Sequence, residues 1–107
     1  MVIRMTTVGR TYMRAKLNQY LEEMEPNTAT VRGNEWTYNL NKPIYVWRYP
    51  DQGVQYIKLS HLKAWLKGYR LDINQIMATV DDACLVTHRV RTDKVHNYQC
   101  LMIPIQS

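Results

Sequence analysis

Apolar side chains recur with a helical period in three parts of this chain, and in three others they alternate with polar ones. Tyr12, Met13, Leu17, Tyr20, Leu21 and Met24 lie at helical spacing and Pro26 closes the run, which predicts an amphipathic helix over residues 11–25. In residues 28–41, TATVRGNEWTYNLN, Gly33 and Asn34 separate runs rich in Thr, Val, Trp and Tyr, the signature of a two-residue hairpin turn. Pairing Arg32 with Glu35 sets Val31 opposite Trp36 and Ala29 opposite Tyr38, with Thr30 and Thr37 on the other face. Pro43 holds Lys42 extended, and residues 44–59, IYVWRYPDQGVQYIKL, form a second hairpin looped at PDQG. These four strands are expected to form a meander.

Ser60 is the expected N-cap of a second helix, in which Leu62, Trp65, Leu66 and Tyr69 make an i, i+3, i+4, i+7 stripe and Lys63, Lys67 and Arg70 lie along a different side. Asp72 and Gln75 form a capping-box pattern, and Ile73, Ile76, Met77, Val80, Ala83 and Cys84 follow at helical spacing, so a third helix is expected over about residues 72–85. Residues 86–105, VTHRVRTDKVHNYQCLMIPI, read as a last hairpin turning at TDK, with Pro104 near a free end. The order α-ββ-ββ-α-α-ββ predicts an α+β fold: about six strands in hairpins, mostly antiparallel, packed with three helices in a single domain over residues 1–107.

Two short helices followed by a basic hairpin resemble the closing layout of a winged helix, with RVRTDKVH as the wing. That resemblance implies that the third helix is the recognition helix. It would then turn Asp72, Asp81 and Asp82 toward phosphates and offer only Asn74, Gln75 and Thr79 to bases, so the sheet-and-helix layout is preferred.

At 107 residues, with 46% apolar and 21% charged positions, the chain can bury a core without staples. No apolar run approaches membrane-spanning length, and MVIRMTTVGR lacks the apolar stretch of a signal peptide, with Met5 an alternative start. A cytoplasmic protein is therefore expected, with no membrane contact. Cys84 and Cys100 are far apart and outside any C-x-x-C pattern, so free buried thiols are expected, and neither a disulfide framework, a metal site nor a cofactor is indicated.

The formal charge of +5 favours anionic partners, and it comes in blocks. Arg4, Arg10, Arg14 and Lys16 make the first block basic; Arg10, Arg14 and Lys16 stand near the positive end of the first helix and Glu22, Glu23 and Glu25 near its negative end, an order that runs against its dipole at ~0.3–1 kcal/mol per charge. Lys58, Lys63, Lys67 and Arg70 then follow with no acid between them, and Arg89, Arg91 and Lys94 cluster in the last hairpin.

The PDQG loop pairs Tyr49 with Val54, Trp47 with Tyr56 and Tyr45 with Lys58. One face of that hairpin is aliphatic, with Ile44, Val46, Ile57 and Leu59, and has polar Arg48 and Gln55 only near the loop. The other carries Tyr45, Trp47, Tyr49 and Tyr56 beside Lys58. Four such rings exceed the apolar patch a monomer normally exposes, so something covers them: the first helix, whose own apolar face is wide enough, or a protein partner, or stacked bases.

His88 and His96 suggest an acid–base pair of the metal-free ribonuclease kind, with Lys94 beside them, but there is no phosphate loop, paired-carboxylate motif or nucleophile elbow. No catalytic residue is assigned. The expected function is a small basic binding protein that acts on nucleic acid, single-stranded before duplex, or on a protein that handles it. Tyr45, Trp47, Tyr49, Tyr56, Lys58, Lys63, Lys67, Arg70, Arg89, Arg91 and Lys94 are its candidate contacts. The alternatives are a protein-interaction module, such as a virus-encoded inhibitor of a host protein, and a homodimer built on the ring face.

Overall fold

The computed structural model describes residues 7–91 and 94–105. Arg4, Met5 and the Thr92 and Asp93 portion of the expected TDK turn lie outside them. The chain is α+β: helix α1 (Thr7–Glu23), a 3-10 turn, β1 (Thr28–Arg32), β2 (Glu35–Thr37), β3 (Val46–Tyr49), β4 (Val54–Lys58), α2 (Leu59–Gly68), α3 (Ile73–Met77), β5 (Cys84–Arg91) and β6 (Val95–Pro104). The strands form one six-stranded sheet in the order β2-β1-β3-β4-β6-β5. No helix among the described residues is long and apolar enough to cross a membrane.

Both early hairpins have the register that side-chain alternation demands. Val31 faces Trp36 and Arg32 faces Glu35, across a turn whose Gly33 has φ 59°. Trp47 faces Tyr56 and Tyr49 faces Val54, across a loop closed by Gly53 at φ 70°, a left-handed conformation that glycine adopts without a Cβ clash. Lys58 N–H donates to Tyr45 O at 2.8 Å, which continues the pairing by one more step.

The expected meander is wrong. β3 lies beside β1 and parallel to it, with Thr28 against Val46 and Ala29 against Trp47, while β2 stands at the edge. β3 is buried on both faces through Val46 and Trp47, which suits a strand with neighbours on both sides, whereas three-residue β2 suits an edge. The Asn- and Pro-containing link between them carries the chain across, tied down where Asn27 Nδ2 donates to Pro43 O at 2.9 Å.

The third helix is also shorter than its periodicity predicts. Its capping box forms, with Asp72 Oδ1 accepting from the Asn74 and Gln75 N–H groups and Gln75 Oε1 accepting from Asp72 N–H, but the helix stops at Met77. Another turn would set Asp81 and Asp82 at the negative end of the helix dipole. Instead Cys84 starts an eight-residue ladder opposite Met102. With α3 this short and β6 paired to β4 inside the main sheet, the winged-helix layout is not the fold. The second helix begins at Leu59 directly from β4, so Ser60 lies inside its first turn rather than at the cap, which is Lys58.

The helices cover one face of the sheet. There Met13, Leu17 and Tyr20 of α1, Leu62 and Leu66 of α2 and Ile76 of α3 pack on Val46, Ile57, Leu101 and Ile103. Burying such side chains contributes roughly 1.5–3 kcal/mol each. Glu23 accepts from Trp65 Nε1 at 3.3 Å and, within α1, from Gln19 Nε2 at 2.8 Å, while Glu25 accepts both terminal nitrogens of Arg48 at 3.2 Å, so side-chain bonds offset the adverse placement of these acids.

Candidate nucleic-acid interface

The ring face is covered, but not by α1, which lies on the opposite side of the sheet. Beyond the pair Lys58 and Cys100, β4 has turned into α2, so the outer parts of β5 and β6 pair only with each other. On a flat sheet, β5 lies three strands from β3, about 14 Å away. Yet the His88 ring of β5 is 5.6 Å from Trp47 and the Tyr98 ring of β6 is 5.1 Å from it. The free end of the hairpin therefore folds back over the rings, and Val90, Trp47, Ala29 and Cys100 form a second buried cluster.

Within this cluster Trp47 is only 2% exposed, and its Nε1 has no acceptor among the described residues. His88 stacks on Tyr56 at 4.0 Å and shares a 2.8 Å hydrogen bond between Nε2 and the Tyr49 hydroxyl. On the helix side His61 repeats the arrangement: it stacks on Tyr45 at 3.6 Å and shares a 2.8 Å hydrogen bond with Tyr20. Burial lowers the pKa of both histidines, helped at His61 by Lys58, and raises that of Tyr20 and Tyr49. Burial also pushes the Cys100 thiol up to about 11, against an opposing pull from Lys58, while Cys84 is half-buried. These are half-buried aromatic boxes whose imidazoles are engaged by tyrosine. His88 and His96 lie on one face as diagonal neighbours, but His88 is held by Tyr49 and Tyr56 while His96 is exposed.

Lys58, half-buried, sits 5.0 Å from the centroid of the Tyr98 ring, so it belongs to the ring cluster. The other cations have a different setting. Leu62 and Leu66 anchor α2 to the core, which leaves Lys63 and Lys67, one turn apart, exposed on the outside. The helix ends in a Schellman motif: Arg70 N–H donates to Lys67 O and Leu71 N–H to Leu66 O, both at 3.0 Å. The left-handed position of that motif is occupied by Arg70 at φ 59°, the one non-glycine residue with positive φ among those described.

In β5, Leu85 pairs with buried Leu101, and Arg89 and Arg91 follow in phase, so both arginines project from the same side of the sheet as α2. Lys94, at the start of β6, is exposed as well. Lys63, Lys67, Arg70, Arg89 and Arg91 thus share one side of the molecule, while Trp47, Tyr49, Tyr56 and Lys58 belong to the other; Lys94 directly precedes Val95, the partner of Arg91, and is out of phase with the two arginines, and Tyr45 stands against His61, apart from the other three rings. Among the described residues the ion pair is Arg48 with Glu25, so none of these five cations is paired with a described acid.

A cavity of about 430 Å³ between α1 and the end of the sheet was not anticipated. Arg14, Asn18, Arg48, Gln55 and Asp82 line it over a floor that includes Leu17 and Ile103. Its signal in the sequence was the polar pair Arg48 and Gln55 on an otherwise aliphatic strand face. A comparison of the chain with protein families, with curated proteins and with solved structures finds no match.

Proposed function

We propose that this chain is a non-enzymatic nucleic-acid-binding protein that grips phosphates with the cationic side formed by α2 and the β5–β6 hairpin. The supporting observation is the exposure, on one side of the sheet, of five cations that no acid among the described residues pairs with. Arg70 adds to it. A left-handed L-residue costs about 1–2 kcal/mol, and an exposed charged side chain standing where glycine fits best is the kind of local strain found at functional positions. Binding through phosphates rather than stacked bases follows from the burial of Trp47 under its own hairpin, so duplex is expected to bind at least as well as single strands.

Fluorescence anisotropy with labelled duplex and single-stranded DNA and RNA tests this reading. Affinity should fall with a log–log salt slope of roughly −0.9 per duplex phosphate engaged, which for five contacts is about −4.5. Replacing Lys63 and Lys67 together by Glu should abolish binding. Absence of binding at low salt, or binding that survives the double charge reversal, would sink the proposal. A second reading, a protein partner, is favoured by Tyr38 and by Leu40, which is 83% exposed in the link after β2.

A further inference from the structure

The two edges of the sheet are unlike. β2 has three residues, the short edge that resists unwanted pairing. β5 has eight, with no proline, and a continuous register with β6 from Cys84 to Arg91. Its only charges, Arg89 and Arg91, sit at one end, and just before its other end come exposed Asp81 and Asp82. Between them, residues 84–88 present an uncharged edge, and Leu85 is 51% exposed on it.

An edge that is acidic at its start and basic at its finish is complementary to itself when reversed. We propose that β5 is the interface with a second copy of this chain, joined antiparallel so that two sheets become one continuous sheet across a two-fold axis. Side chains keep their faces only if residues of like parity are paired. Placing the axis at Val86 meets that condition. Val86 then faces Val86 of the second copy, Leu85 faces Thr87, and the Asp81–Asp82 turn that leads into β5 comes beside Arg89 and Arg91 of the second copy, twice by symmetry. Backbone hydrogen bonds supply the attraction and the charged ends select the reversed orientation. The proposal does not depend on nucleic acid binding, because its readout is the mass of the free protein.

Sedimentation equilibrium of the full chain, without nucleic acid, from about 1 μM to about 1 mM, should show a reversible shift from 12.7 kDa to twice that mass. An all-basic variant, Asp81→Lys with Asp82→Lys, and an all-acidic variant, Arg89→Glu with Arg91→Glu, should each stay at the mass of one chain. Mixed in equal amounts they should form a one-to-one heterodimer, because every facing pair of ends is then opposite in charge. All four substitutions are at exposed positions, and amide spectra of each variant report that it is folded. A wild-type mass of one chain at every concentration, dimers formed by either variant alone, or a mixture that stays monomeric would overturn the proposal.

Discussion

Arg70 offers the sharpest test of how the end of α2 is built. Its φ of 59° places a Cβ-bearing residue where the backbone favours glycine, and the Schellman bonds on either side of it, both 3.0 Å, hold it there. The conformation costs roughly 1–2 kcal/mol in an L-residue, while glycine loses about 0.5–1 kcal/mol more backbone entropy on folding. Arg70→Gly should therefore stabilise the protein by a net ~0.5–1 kcal/mol. For a domain near 100 residues that is a rise in Tm of about 2–8 °C. Arg70→Ala removes the same guanidinium but keeps the strain, so its Tm should stay near that of the wild type. Both variants should bind nucleic acid more weakly and to a similar degree, each losing about one phosphate contact from the salt slope. Calorimetry and anisotropy on the three proteins separate the backbone effect from the charge effect. If Arg70→Gly melts no higher than Arg70→Ala, the account of strain at this position is refuted.

Two other outcomes follow from the aromatic boxes. Trp47→Ala empties the centre of the second cluster and should cost about 3–5 kcal/mol in urea denaturation, enough to threaten folding; a loss under 1 kcal/mol would mean that the hairpin does not cover the ring. The pKa values of His61 and His88 are lowered in the folded state, so below the ordinary value of 6.5 the unfolded chain binds more protons, and stability should fall as pH drops through that value. The slope is at most ~1.4 kcal/mol per pH unit for each histidine, and less here because both rings are partly solvated; stability that is flat from pH 7 to pH 5 would contradict the boxes.

Period and punctuation determined much of this architecture. Alternation around PDQG set Trp47 against Tyr56, Gly33 and Asn34 placed the first turn, and the Asp72–Gln75 capping box marked the start of α3. Each of these depends on residues a few positions apart, whose geometry the chain cannot evade. Helical periodicity misled at residues 78–85, because a run of Val80, Ala83 and Cys84 fits a helix face and a strand start equally well, and only pairing with the distant Met102 decides between them. Arg89 and Arg91, two positions apart on one strand, share a face by alternation, but whether that face is the one α2 covers depended on how β6 joined β4.

The ring face of β3 and β4 shows the same division at the centre of the molecule. Its existence was determined by sequence, since Trp47, Tyr49 and Tyr56, in register at period two, must share a side, whereas the fourth ring, Tyr45, lies beyond the strand and is taken up by His61. What covers it was decided by tertiary structure. β4 ends at Lys58 and turns into α2, the outer hairpin loses its neighbour, and its least costly course is to fold Val90, His88 and Tyr98 onto Trp47 rather than leave both apolar surfaces in water. Local spacing can state that a surface needs burial; only the path of the whole chain selects the segment that buries it.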